Sequence, residues 1–224
     1  MKTIWAVIPA YNEAESIGRT IRALQAIPSI DKIMVVNDGS TDATADEVRK
    51  TGVYLLDLPY NMGKGGAMNK AVGEVDADIV LFLDGDLGDS ASQAELILKP
   101  VLEGQADLAI AAFPPPKRKG GFGLVKKTAA WAIQRAGNLQ SKAPLSGQRA
   151  MTREVLEAVL PFDKSYGVEL GMTIRALRKG FRVVEVPTEM SHKETGRDLQ
   201  GFLHRGRQWW DVLKVVISEW RNLL

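Results

Sequence analysis

The chain contains no cysteine. Disulfides, thiolate metal sites and a cysteine nucleophile are therefore excluded, and the composition fits a reducing compartment. Histidine is nearly as scarce, with only His192 and His204 in 224 residues. An excess of one charge is missing too. The 29 Lys and Arg against 27 Asp and Glu leave a net charge of +2, too small to point to nucleic acid. No apolar run approaches the length of a membrane span. The apolar stretch that opens the chain stops at Pro9, too short for a secretory core and with no small-residue cleavage site after it. A soluble cytoplasmic protein is the expectation. What is present is ordinary for a globular chain: 45% apolar and 25% charged residues over a length that suits one domain with a sizeable core.

The stretch that organises the reading is Val80-Leu81-Phe82-Leu83-Asp84-Gly85-Asp86. A buried-strand pattern ends abruptly in two carboxylates one glycine apart. Anions that close repel unless a cation or proton lies between them. Hard oxygen ligands suit Mg2+ or Mn2+, which bind through one or two carboxylates plus substrate phosphates. The bland reading is a solvated turn, because Asp and Gly are common turn residues.

The surrounding pattern lifts the motif above that reading. Strands are expected at 4–8, 33–36, 53–58 and up to Asp84. Helices are expected from Ala14, capped by Asn12, over 41–50 and over 67–75. This alternation predicts a parallel sheet covered by helices, with ligands beyond the carboxyl ends of its strands. Those ends are Pro9–Glu13, Asn37–Ser40, the glycine-rich Pro59–Gly66 and Asp84–Asp86, so all four polar segments belong on one rim.

Further along, helices are expected over 92–103, 124–137, 153–160 and 168–179, and strands over 107–112, 146–152 (an edge strand) and 181–186, the last stopped by Pro187. The segment 113–123, with three prolines and Lys117, Arg118 and Lys119, reads as a loop, either a solvated basic one or a flap over an anionic substrate. The division expected is 1–201 as one domain and 202–224 as an amphipathic helix docked on it. At 100° steps Phe202, Trp209, Leu213, Val216, Trp220 and Leu224 share one face of that helix. A membrane-surface role for it is the competing reading.

Four motifs in order, Ile8-Pro9-Ala10-Tyr11-Asn12-Glu13, Val36-Asn37-Asp38-Gly39-Ser40-Thr41-Asp42, Asn61-Met62-Gly63-Lys64-Gly65-Gly66-Ala67 and Leu83-Asp84-Gly85-Asp86, resemble the family 2-like glycosyltransferases of the GT-A fold. The second half is most similar to glucosyl-3-phosphoglycerate synthases through Pro144–Ala150, Tyr166–Gly171 and His192, with Gln148 standing where those synthases carry an acidic residue. Polyprenyl-phosphate glycosyltransferases share the first half equally well.

The resemblance implies an α/β GT-A fold, a mostly parallel sheet with helices on both faces, and a nucleotide-sugar donor, most often UDP-linked. It places Pro9, Ala10, Tyr11, Asn12 and Glu13 at uracil and ribose, and Asp38 at base or ribose. Lys64 goes to base or phosphates, and Asp84 with Gly85 to ribose or sugar. Asp86 and His192 become ligands of Mg2+ or Mn2+. Glu169 and Asp86 become the catalytic pair, Glu169 as acceptor base or as a group orienting sugar or acceptor. The acceptor implied is a small phosphorylated molecule such as 3-phosphoglycerate or a lipid phosphate, with no nucleic acid. Peripheral membrane contact through the C-terminal helix and a homodimer stay open. Two other classes compete: a catalytically silent sugar-nucleotide-binding protein, and a nucleotidylyltransferase, whose glycine-rich, Arg-containing opening is missing here.

Overall fold

The computed structural model of the chain describes residues 2–114, 123–163, 167–191 and 214–219. Within them seven strands form one sheet: β1 (Ile4–Ala10), β2 (Lys32–Asn37), β3 (Tyr54–Asp57), β4 (Ile79–Phe82), β5 (Leu108–Ala112), β6 (Arg149–Thr152) and β7 (Val183–Pro187), in the order β3-β2-β1-β4-β6-β5-β7. β6 is antiparallel to both its neighbours, β4 and β5, and every other pairing is parallel.

The alternation in β1 explains why the sheet is covered twice. Ile4, Ala6 and Ile8 point to one face, where they join Ile17, Ile21 and Leu24 of α1 (Ile17–Gln25), Val48 of α2 (Thr44–Arg49) and Ile97, Leu98 and Val101 of α4 (Ala94–Leu102). Trp5 and Val7 point to the other. There they meet Ala67, Met68 and Ala71 of α3 (Lys64–Val72), Val155, Leu156 and Val159 of α6 (Arg153–Val159), and Val168, Met172 and Ala176 of α7 (Val168–Arg178). Strands packed on both sides read as continuous apolar runs. Each large side chain removed from water in this way contributes roughly 2 kcal/mol.

A third apolar cluster lies away from the sheet. Val125, Ala129, Ala132 and Ile133 of α5 (Gly123–Gly137) meet Leu170 and Ile174 of α7 and Val215 and Val216 of the helical residues 214–219. Glu219 is 5% exposed. Its carboxylate accepts from Arg175 Nε at 2.7 Å and Arg178 Nη1 at 3.2 Å. Phe202, Trp209, Trp210, Leu213, Trp220 and Leu224 of the expected C-terminal helix lie outside the described residues.

Three boundaries differ from expectation, each for a physical reason. The strand expected at an edge over 146–152 is shorter and lies inside the sheet, because Arg149, Ala150 and Met151 are all fully buried between β4 and β5. Pro187 does not stop β7 but ends it while paired with Ala112, which an outer strand tolerates. α3 begins at Lys64 rather than at Ala67, so Lys64-Gly65-Gly66 is its first turn and not loop. Gly63 precedes it with φ 76°, a conformation open to glycine. A Cβ at Gly65 would stand 1.8 Å from the Asp163 carbonyl oxygen, so the turn seats directly against the chain leading into α7.

Gly65→Ala is therefore expected to lower stability by about 2 kcal/mol or more. Gly52→Ala, at φ 73° but with nothing within 4 Å, is expected to cost only about 1 kcal/mol. Urea midpoints of the two variants check the ordering.

Candidate active site

The carboxyl ends of β1, β2, β3 and β4 bring the four expected segments to one rim, and hydrogen bonds lock them to one another. Pro9 and Ala10 are the last residues of β1. Tyr11 follows, 46% exposed. Asn12 sits at φ 57°, left-handed, a conformation asparagine tolerates better than most. Its Oδ1 accepts the Thr41 amide at 2.8 Å, and its own amide donates to Ser40 Oγ at 3.0 Å. Asn12 therefore clamps two loops and does not cap α1, which starts later, after Ser16. The Glu13 amide donates to Thr44 Oγ1 at 2.8 Å, and its carboxylate accepts from Ser16 Oγ at 2.9 Å.

Asp38 is 3% exposed and anchors the second loop to the third. Its Oδ1 accepts the Met62 amide at 2.7 Å. Burial pushes its pKa up, and the amides of Met62 and Gly63 only partly offset that. At Gly39, φ 66°, a Cβ would lie 2.5 Å from the Tyr60 carbonyl carbon, so the two loops pack backbone against backbone. Tyr60, 63% exposed, and Tyr11 both present rings to solvent beside this pocket.

The electrostatic centre is Lys64. Its Nζ lies 2.6 Å from Asp84 Oδ1 and 2.7 Å from Glu169 Oε1. Burial alone would lower the ammonium pKa, but the two carboxylates outweigh it and hold the lysine well above its usual range. The first turns of α3 and α7 and the end of β4 are thereby joined through one cation. Gln148 Nε2 donates to Asp84 Oδ2 at 2.7 Å from the other side. Gly147 covers the group: a Cβ there would come within 2.5 Å of Lys64 Nζ and 2.8 Å of Asp84 Oδ2.

Beneath this layer lies Arg149, fully buried at the start of β6. Its Nε donates to the Ser146 carbonyl at 2.8 Å and its Nη1 to Thr173 Oγ1 at 2.8 Å, while Nη2 is buried without a hydrogen-bond partner among the described residues. Burial pulls its pKa down to about 10, against the upward pull of Glu169, Glu185 and Asp84. The guanidinium thus remains a cation at neutral pH. Glu185 of β7 steadies the approach to the site. Its carboxylate accepts the Lys142 amide at 2.8 Å and the Ala143 amide at 3.2 Å, with Ser141 Oγ as a further donor.

Asp86 stands in the turn after β4, partly exposed. Among the described residues no three His, Asp or Glu side chains gather in a way that could hold a metal ion. His192 lies outside the described residues. Ser191, its chain neighbour, is described: its amide donates to Ser90 Oγ at 3.2 Å, four residues past Asp86.

The sequence reading brought Pro9–Glu13, Asp38, Lys64, Asp84, Gly85 and Glu169 to this rim. It passed over Arg149 and Thr20. Thr20 carried a signal, a polar residue in the buried stripe of α1; Arg149, which opens β6 after Ser146-Gly147-Gln148, carried none.

Replacing Lys64 with Met leaves Asp84 and Glu169 facing each other without their shared cation and is expected to lower stability by about 2–3 kcal/mol. Adding Glu169→Gln to that variant is expected to restore at least about 1 kcal/mol. A denaturation cycle over the two single variants and the double variant measures the coupling.

The chain is similar in sequence and fold to known proteins. The chain is 31% identical over 196 residues to Glycosyltransferase AglJ of Haloferax volcanii, which covers 85% of this chain and 63% of that protein. It therefore spans less than two thirds of that relative's length. It is 30% identical over 213 residues to the undecaprenyl-phosphate mannosyltransferase of Micrococcus luteus, covering 86% of this chain and 85% of that one. Among solved structures, glucosyl-3-phosphoglycerate synthase of Mycobacterium tuberculosis in complex with Mg2+ and UDP superposes with a TM-score of 0.81 at 25% identity, over 97% of this chain and 79% of that one. The same enzyme with Mn2+, UDP-glucose and phosphoglyceric acid gives 0.79 at 27% identity, over 97% and 79%. These matches identify the fold as GT-A. The profile described as Glycosyl transferase family 2 matches residues 5–159, and the chain belongs to that family.

Proposed function

We propose that this chain is a metal-dependent glycosyltransferase that moves a sugar from a UDP-linked donor to a small phosphorylated acceptor such as 3-phosphoglycerate. The observation that carries the reading is the joint placement, on one rim, of the Asp38 pocket, the Lys64–Asp84–Glu169 cluster and Asp86. A nucleotide-diphosphate sugar has three parts to match: a base and ribose for the Asp38 loop, phosphates for a metal beside Asp86, and a sugar for the Lys64–Asp84–Glu169 cluster.

The residues fit Mg2+ or Mn2+. A carboxylate at Asp86 and an imidazole at His192 are donors that suit an ion held by one or two protein ligands and completed by phosphate oxygens. Asp86 and His192 would hold it, and the hydrogen bond of Ser191 to Ser90 leads the chain toward His192 from beside the turn. When bound, such an ion neutralises charge growing on the departing nucleoside diphosphate as a Lewis acid.

The protein's own groups do the rest. Pro9 to Glu13 and Asp38 receive uracil and ribose, with the Asp38 carboxylate oriented by the Met62 amide. Asp84, held on both sides by Lys64 and Gln148, offers fixed acceptor oxygens to ribose or sugar hydroxyls. Glu169, 10% exposed at its side chain and paired with Lys64, orients the sugar or the acceptor hydroxyl. Gly147 lets the backbone approach the reacting centre closely.

A polyprenyl phosphate is the second acceptor reading, favoured by the likeness to the M. luteus enzyme along most of its length. Trp131, 55% exposed, and Ile217, 49% exposed, would serve a membrane surface. Among the described residues no helix is long and apolar enough to cross a membrane. Flotation with anionic vesicles separates the two: vesicle binding favours the lipid acceptor, and its absence the small one.

A thermal-shift screen of nucleotide sugars with and without Mn2+ is expected to single out a UDP-sugar whose stabilisation depends on the metal. Asp86→Ala is expected to abolish transfer while keeping the melting transition. His192→Ala is expected to weaken Mn2+-dependent UDP binding about tenfold or more by calorimetry. Asp86→Ala with unchanged turnover in Mn2+ buffer would refute the metal role.

A further inference from the structure

Thr20 lies in the middle of α1, fully buried on the stripe that carries Ile17, Ile21 and Leu24. A hydroxyl there needs partners; besides the Ser16 carbonyl of its own chain turn at 3.3 Å, it has two that are remote in sequence and closer. Thr20 Oγ1 donates to the Gly85 carbonyl at 2.9 Å and accepts the Gly88 amide at 2.8 Å. Those two groups bracket Asp86. The turn between them follows the end of β4 at Phe82 and reaches φ 54° at Gly88, a left-handed conformation open to glycine. A Cβ at Gly85 would touch Ile17, Ala10 and Glu13 at 3.3–3.4 Å, so the turn also lies flush against the start of α1. Next to it, the Arg19 guanidinium flanks Gly88.

We infer that Thr20 is a positioning residue for Asp86: its hydroxyl, bonded to both ends of the 85–88 turn, fixes the direction in which the Asp86 carboxylate is presented. The inference rests on the reading of Asp86 as a metal ligand. It extends that reading to a residue that touches neither the metal nor the donor. The same helix follows directly from the Pro9–Glu13 loop, so one rigid element sets the spacing between the base pocket and the metal-binding turn. A helix turn is a better ruler for such a spacing than a loop is.

Thr20→Val keeps the shape and removes the hydroxyl, which leaves a buried carbonyl and a buried amide unpaired. The measurement is UDP affinity by calorimetry with and without Mn2+, together with Mn2+ binding in the presence of UDP by electron paramagnetic resonance. The expected result is a loss of Mn2+-dependent affinity on the order of tenfold. Metal-free UDP affinity is expected to stay within about twofold, and Thr20→Ser, which keeps the hydroxyl, to bind like the wild type. Should Thr20→Val fail to accumulate as folded protein, Thr20→Ala carries the same comparison.

Thr20→Val with wild-type Mn2+-dependent affinity overturns the inference. So does an equal loss in Thr20→Ser, which would assign the effect to packing, or an equal loss of metal-free affinity, which would assign it to general disruption. Failure of the underlying reading looks different: Mn2+ would not strengthen UDP binding by the wild type, or Asp86→Ala would leave that strengthening intact.

Discussion

One cation holds the site together. Lys64 stands between Asp84 and Glu169, two carboxylates delivered by elements 85 residues apart in sequence. Without it, the end of β4 and the start of α7 would repel at a distance where like charges in a partly dry environment are costly. Arg149 adds a second, fully buried positive charge below, felt by Glu169, Glu185 and Asp84, so the carboxylates are opposed by two cations before any ligand arrives. The layer above it, from Asp38 to Gly147, is arranged around these opposed charges.

The price of that balance is close packing. Gly65 against Asp163, Gly39 against Tyr60 and Gly147 against Lys64 are places where a single methyl group does not fit. Each brings a loop or helix start nearer to its neighbour than any other residue would allow. The loops at the rim are therefore held by backbone contact and by backbone amides that donate to the side chains of Asn12, Asp38, Thr44 and Glu185.

How much of this could be read from residues alone differs between the halves. The alternation of strands and helices through Asp84 placed four rim segments correctly, because period and turn chemistry are local signals. The position of β6 was not local. Nothing within Arg149–Thr152 says that the strand inserts between β4 and β5, since that depends on which partners remain when the chain returns. The role of Lys64 was hidden for a similar reason. Its glycine neighbours read as loop, yet they are helix because α7 and Asp163 press on them from far along the chain. Glu169 was legible as an acceptor base or an orienting group, and only the fold shows which cation it meets. Thr20 sits on the apolar stripe of α1, where a polar residue marks a long-range bond without naming its partner, and Arg149 follows a polar segment that gives no hint of its burial.

The reversed direction of β6 has a consequence for variation among such chains. Its hydrogen bonds to β4 and β5 fix its register from both sides, so the segment joining β5 to β6 can lengthen or shorten without shifting any strand. Because β6 starts at the rim where its neighbours finish, the residues just before it, Gly147 and Gln148, arrive beside Lys64 and Asp84. A single reversed strand thus lends the second half of the chain a foothold in a site whose other walls come from the first.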